Sequence, residues 1–296
     1  MNRKKLIAFS ISLAMTVVPV TPAAAAGAEQ NTEGLQNAVL DLEFENSLED
    51  SSGKGNNGTL SSGEAEYVDG VVGKGLKMNG SSYVNLGNST DLQPENLTLS
   101  FWIRPDSDMK GEELISWNKN EWYTDGWYLS SENDNTPLTL SVGPAKTNGQ
   151  PYRVSVSGKR SEFLPTGEWT HIAVTYDKDS KEICFYRNGV KCSTVTTYGI
   201  SGESTGVLGS DATMEKSIGY NGPKYKGAYL KASLDEYQLY NDVATPEEVI
   251  ALYEESGQTF DRKAVAQADL DKISIPETTQ ENLSLPTTGE SGSVIS

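Results

Sequence analysis

Between Ala38 and Ser256 the chain is written in short segments that alternate apolar and polar residues, cut by clusters of Gly, Ser, Asn and Asp. "NLTLSFWIRP" is the clearest. Leu97, Leu99, Phe101 and Ile103 fall on one side, and Thr98, Ser100, Trp102 and Arg104 on the other. A period of two is the signature of a half-buried β-strand. "VLDLEFE" repeats it with Leu40, Leu42 and Phe44, and "ELISW", "GWYLSS", "LTLSVG", "YRVSVSG", "EWTHIAVTYD" and "ASLDEYQLY" continue the series. Many short strands with turn signals between them predict a β-sandwich or barrel. One helix interrupts the pattern. In "ATPEEVIALYEES", Thr245 is the N-cap, Pro246 the first helical residue and Glu248 the third, a capping box. Val249, Ile250, Leu252 and Tyr253 form its apolar face.

The amino terminus is a secretory leader in pattern. Arg3, Lys4 and Lys5 precede an apolar run from Leu6 to Val20, and Ala24 and Ala26 supply the small residues of a cleavage site after Ala26. The run is shorter than the ~20 residues that span a bilayer. The expected localisation is therefore secreted, extracellular or cell-surface. The formal net charge is −17 at pH 7 and becomes more negative once the basic leader is removed. Such a balance disfavours nucleic acid and anionic membrane surfaces as partners.

Export permits one disulfide from the two cysteines. "KEICFYRNGVKC" reads as a hairpin around Asn188-Gly189. A two-residue loop sets Cys184 opposite Ser193 and the cysteines on opposite faces. A three-residue loop sets Cys184 opposite Cys192, where a cross-strand bond fits. Export favours the second, so a Cys184–Cys192 disulfide is expected.

The order of segments resembles laminin-G-like domains of the concanavalin A-like lectin/glucanase superfamily. Asp50-Ser51-Ser52-Gly53, "GVVGKGLKMNGSSYVNL" and Phe101-Trp102-Ile103 carry the front half. "EWTHIAVTYDKDSKEICFYRNG" and "KGAYLKASLDEYQLYNDVATPEEVIALY" carry the back half. The resemblance implies an all-β fold: a two-sheet antiparallel jelly-roll sandwich with one short C-terminal helix. The tail from 273 to 296 resembles the start of an atrophied bacterial immunoglobulin-like domain, which sets aside a wall-anchoring reading of Leu285-Pro286-Thr287-Thr288-Gly289. The expected organisation is a leader (1–26), a linker (27–37), the laminin-G-like domain (38–256), a second linker (257–272) and that truncated start (273–296).

The catalytic glucanases of this superfamily set carboxylates at alternating positions of one strand, where two can flank a glycosidic bond. Asp41, Glu43 and Glu45 are the nearest approach, with the wrong residue order, and read as a solvated outer face. The single histidine, His171, reads as packing. Sugar binding is the stronger candidate, because sugars are held by an aromatic face together with amide and carboxylate groups. "SWNKNEWYTDGWYLSS" concentrates Asn118, Trp122, Tyr123 and Asp125, and "GYNGPKYKG" adds Tyr220, Asn221 and Tyr225. Trp117 and Trp127 are assigned to the core. Some domains of this architecture carry calcium between the terminal strands and a loop. Glu45, Asp50, Asn57 and Asp235 are its expected ligands here, since calcium takes six to eight oxygens in flexible geometry. The expected function is a non-catalytic carbohydrate-binding accessory module of a secreted bacterial glycoside hydrolase. Its partners are a polysaccharide or glycan and C-terminal domains of the same chain, of arabinofuranosidase or xylosidase type. The alternative is an adhesion or spacer module that binds protein.

Overall fold

The computed structural model describes residues 35, 38–106, 113–119, 126–143, 152–192, 195–198, 215–220 and 229–272. The expected leader and the immunoglobulin-like start lie outside them. In chain order the strands are β1 (Ala38–Leu42), β2 (Thr59–Leu60), β3 (Glu66–Asp69), β4 (Lys74–Asn79), β5 (Val84–Asn85), β6 (Leu97–Pro105), β7 (Glu113–Lys119) and β8 (Gly126–Ser131). They continue as β9 (Thr139–Val142), β10 (Tyr152–Val156), β11 (Thr170–Tyr176), β12 (Ile183–Arg187), β13 (Val190–Lys191), β14 (Val195–Tyr198), β15 (Ser217–Ile218) and β16 (Lys231–Tyr240). The helices are α1 (Arg160–Phe163), α2 (Pro246–Glu255) and α3 (Arg262–Asp271).

The strands form two antiparallel sheets, the jelly-roll sandwich that the resemblance implied, and so the sandwich of the two architectures that the alternation allowed. One runs β13-β12-β11-β6-β16-β4-β3, with β1 also on β16; the other runs β14-β10-β9-β8-β7-β15-β5-β2. Leu97, Leu99, Phe101 and Ile103 of β6 all enter the core between the sheets, as do Leu40, Leu42 and Phe44. Trp127, Leu129, Leu140 and Val154 meet them from the second sheet. Burying each such side chain stabilises the fold by about 1.5–3 kcal/mol, which is why the period-two pattern decides the layers.

The other side of β6 is not solvated. Trp102 is buried, and its ring lies 5.6 Å from Tyr253 of α2 and 5.2 Å from His171 of β11. Helix α2 therefore covers the outer face of the first sheet. Its capping box is present: Glu248 N donates to Thr245 Oγ1 and Thr245 N to Glu248 Oε2. Within the expected linker at 257–272, residues Arg262–Asp271 are helical. Asp261 caps α3 by accepting from Lys263 N and Ala264 N, and Phe260 packs edge-on to Tyr253.

The expected disulfide is corrected. Tyr186 pairs with Lys191 and Arg187 with Val190, so the loop has two residues. Asn188 and Gly189 both have positive φ, 50° and 78°, the requirement of the tight hairpin turn that Asn-Gly favours. Cys192 then lies opposite Phe185, to whose carbonyl its amide donates at 2.8 Å, and packs on the core side. Cys184 joins the cluster on the opposite face with Ala173, Tyr186 and Val249. Both thiols are free.

Candidate functional site

The site begins with a loop between β1 and β2 organised by one carboxylate. Asp50 Oδ1 accepts from Asp41 N and Ser52 N, and Oδ2 from Ser52 Oγ and Asn56 N. Burial opposes ionisation of Asp50, but these bonds outweigh it and hold its carboxyl below the ordinary range. Asn56 Nδ2 ties the loop to Val39 O at 2.8 Å. Asn57 Oδ1 accepts from Asp50 N at 2.8 Å.

This loop forms one wall of a groove of about 540 Å³, whose other walls come from β2, the β5 end and Glu215. That volume lies within the ~300–1,000 Å³ usual for small-ligand sites. Asn57, Ser61, Asn85, Asn88, Ser89 and Glu215 are among its lining residues. Asn85 Oδ1 accepts from Gly87 N at 2.7 Å. The amide oxygens of Asn57 and Asn85 are thus pinned by backbone, and each side chain keeps its NH2 end as donor.

Tyr83 borders the groove through its backbone and stacks with two further tyrosines. Tyr83 precedes β5, and its amide donates to Ser61 Oγ of the groove wall. Its ring lies 5.2 Å from Tyr220 at 27°, and Tyr220 lies 4.3 Å from Tyr229 at 7°. Tyr83 and Tyr229 are 6.5 Å apart at 28°. Tyr220 is 8% exposed and forms the hidden middle of this near-parallel array; Tyr83 and Tyr229 are half-buried. Burial first, then the Glu215 charge, pushes the Tyr83 phenol pKa upward.

Of the residues expected to contact sugar, Trp122, Tyr123, Asp125, Asn221 and Tyr225 lie outside the described residues. Tyr220 is present but inside the stack. Asn118 is 2% exposed and pairs with Trp127, so it shares the core-facing side of β7; its Nδ2 donates to Ser116 Oγ. It does not reach a surface ligand. Trp117 is also corrected. It pairs with Tyr128, stacks on it at 5.4 Å and stands on the sheet's outer side, whereas Trp127 enters the core as expected. Tyr83 and Tyr229 were not singled out in the sequence. Tyr83 sits in "SSYVNL", where nothing local points to a stack, and only the pairing of β5 with β15 brings it to Tyr220.

The four expected calcium ligands do not form one set. Asp50 spends about four lone-pair sites inside its own loop, the full capacity of a carboxylate. Asn57 spends its oxygen on Asp50 N. Glu45 and Asp235 do approach each other, because β1 pairs with β16. Asp235 Oδ2 accepts from Val71 N and Val72 N, and Glu45 Oε1 from Lys74 N, around the β3–β4 turn. Among the described residues no three His, Cys, Asp or Glu side chains have metal-holding geometry. These residues do not fit a single calcium site.

The acids instead crowd a bulge. In β16 both Leu234 and Tyr237 face the core, a parity break absorbed at Asp235–Gln238, where Glu236 has φ 46°. Burial, and then Asp235, Asp41, Glu43 and Glu45, push the Glu236 carboxyl up to about 8. Burial is also the first cause that raises Asp235 to about 6. The alternation expected for Asp41, Glu43 and Glu45 ends early, since β1 stops at Leu42 and Phe44 has φ 54°.

His171 meets a serine: Ser100 Oγ lies 2.9 Å from His171 Nε2. Both are buried, and His171 is sealed under the Trp102 and Tyr253 rings. Burial depresses its pKa to about 3, so the ring is a neutral packing residue.

The family model of laminin-G-like domains described as "Concanavalin A-like lectin/glucanases superfamily" matches residues 78–250. No curated protein matches the chain. Among solved structures, the binding domain of Paraclostridial Mosquitocidal Protein 1 is similar at 23% identity and TM-score 0.57, covering 74% of this chain and 52% of that one. Domain 4 of AbnA, a GH43 extracellular arabinanase from Geobacillus stearothermophilus solved in complex with arabinotriose, is similar at 22% identity and TM-score 0.53, over 75% of this chain and 100% of that one. The binding domain of botulinum neurotoxin DC, solved with rat synaptotagmin II, is similar at 16% identity and TM-score 0.55, over 74% and 52%. The chain thus spans about half the length of the toxin domains it matches, and the likeness to all three is one of fold.

Proposed function

The chain belongs to the concanavalin A-like lectin/glucanases superfamily, and on that premise we propose that it is a carbohydrate-binding accessory module without hydrolytic chemistry of its own, borne by a secreted bacterial glycoside hydrolase. One observation carries the reading: the Tyr83–Tyr220–Tyr229 array, which through Tyr83 borders a groove lined with amides and hydroxyls. An aromatic ring offers a flat apolar body with a polar tip. The C–H face of a sugar ring suits the first, and its hydroxyls suit the fixed NH2 ends of Asn57 and Asn85. Tyr83 and Tyr229 supply the contact surface, and Tyr220 braces them. Trp122, Tyr123 and Asp125 belong to the same proposal as further contacts. Domain 4 of the arabinanase, similar in fold and solved in complex with arabinotriose, supports the reading by analogy of fold.

A glycan array probed with the full chain tests it. Binding to at least one glycan, lowered ten-fold or more by Tyr83→Ala or Tyr229→Ala, is expected. Release of reducing sugar by the chain, or a protein ligand with no glycan bound, would replace the proposal.

A further inference from the structure

The groove's described lining holds two kinds of polar group. Asn57 and Asn85 each use the amide oxygen to accept one backbone N–H and carry an NH2 donor besides. Glu215 is exposed and is the one ionisable side chain among the described lining residues. A carboxylate only accepts hydrogen bonds and an amide NH2 only donates them. A sugar hydroxyl does both, so it satisfies either wall. A ligand carboxylate accepts only; it suits the amides but meets Glu215 with like charge.

The described lining residues include no Lys, Arg or His, and the nearest cation along the chain lies behind the groove wall. Lys216, next in the chain, is fully buried, and its Nζ donates to Asn88 O at 3.0 Å. The chain around Glu215 carries a formal net charge of −17. Juxtaposed like charges suppress wrong partners.

From this arrangement we infer that the groove selects uncharged glycans and excludes uronate- and sialate-bearing ones, with Glu215 as the selecting residue. The inference rests on the glycan-binding reading and names the ligand class of the same site. Glu215 accepts from ring hydroxyls of a neutral chain stacked at Tyr83, and the Asn57 and Asn85 amides donate to the oxygens of the same sugar or the next.

Affinity electrophoresis of the full chain through gels containing arabinan, arabinoxylan or mixed-linkage β-glucan, against polygalacturonate and a sialyllactose-bearing polymer, tests it. At least one neutral polymer is expected to retard the chain, and neither anionic polymer is. Glu215→Gln is expected to weaken neutral binding about five-fold or more and to remove the exclusion in part. Glu215→Lys is expected to admit polygalacturonate. Both substitutions are at an exposed position, and an unchanged melting temperature shows that they fold. Retardation by an anionic polymer, abolished by Tyr83→Ala, would overturn the charge selection while leaving glycan binding intact. Retardation by no polymer would overturn the glycan-binding reading and the selection with it.

Discussion

Asp235 Oδ2 accepts the backbone N–H of Val71 at 2.7 Å, across a sequence separation of 164 residues. The same oxygen takes Val72 N at 3.0 Å. The last long strand thereby holds the β3–β4 turn, and Gly70 lies so close that a Cβ there would meet this oxygen at 2.4 Å. Asp235→Ala leaves both amides without their acceptor. It is expected to cost about 2 kcal/mol, a fall in melting temperature of roughly 4–8 °C for a domain of this size. Asp235→Asn keeps one oxygen and should fall less. Equal falls for both would mean that the hydrogen bonds matter little.

Stability should decline between about pH 6.5 and 8. The Glu236 carboxyl, raised to about 8 by burial and its acidic neighbours, holds a proton in the folded state that the unfolded chain releases near pH 4–5. Its contribution is therefore full in acid and lost as pH rises through 8. Asp235, raised to about 6, acts the same way over a lower window. His171 acts oppositely. Its pKa is depressed to about 3 by burial, so its contribution grows from pH 3 to about 6.5. Of these three, only Glu236 still titrates appreciably above pH 6.5. Melting temperatures at pH 6.5 and 8.5 should differ in the native chain and nearly coincide in Glu236→Gln.

The hairpin predicts two titratable thiols. Unreduced protein unfolded in denaturant should react with two equivalents of Ellman's reagent, and dithiothreitol should not move the melting temperature. Zero equivalents would require a three-residue loop and a different β12–β13 register.

Gly189 has φ 78°, and a Cβ there would meet Phe260 Cδ2 at 2.8 Å. Gly189→Ala should cost about 1–2 kcal/mol from the left-handed backbone alone, with a further loss from the contact. In a Phe260→Ala background the contact loss disappears and the backbone loss remains. Urea unfolding of the four variants separates the two parts.

Asp50→Ala removes the acceptor of four hydrogen bonds and frees the loop that walls the groove. A loss of at least ~2 kcal/mol is expected, the same in EDTA as in added calcium, together with weaker glycan binding. A penalty that appears only with calcium present would show that Asp50 acts through the ion.

Alternation alone separated the core face of β6 from its outer face, because a strand turns successive side chains to opposite sides whatever it packs against. The capping box was equally local: Thr245 and Glu248 are within one helical turn. The cysteine question was also decided locally, by the preference of Asn188-Gly189 for positive φ, yet export outweighed that preference in the expectation. Trp117 and Asn118 were misplaced because the bulge between Leu114 and Ser116 resets which residues of β7 face inward. A bulge adds one unpaired residue and leaves little trace in composition.

What the sequence determined by itself was the run of alternating strands, the capped helix and the turn signals between them, since each rests on residues close together along the chain. Tertiary structure alone decided which tyrosines stack. Tyr83 and Tyr229 are far apart in sequence, and only the pairing of β5 with β15 sets them around Tyr220. It also decided that Asp50 is spent on its own loop and that Glu236 is crowded by acids from β1, because long-range register fixes which oxygens are used and which charges meet.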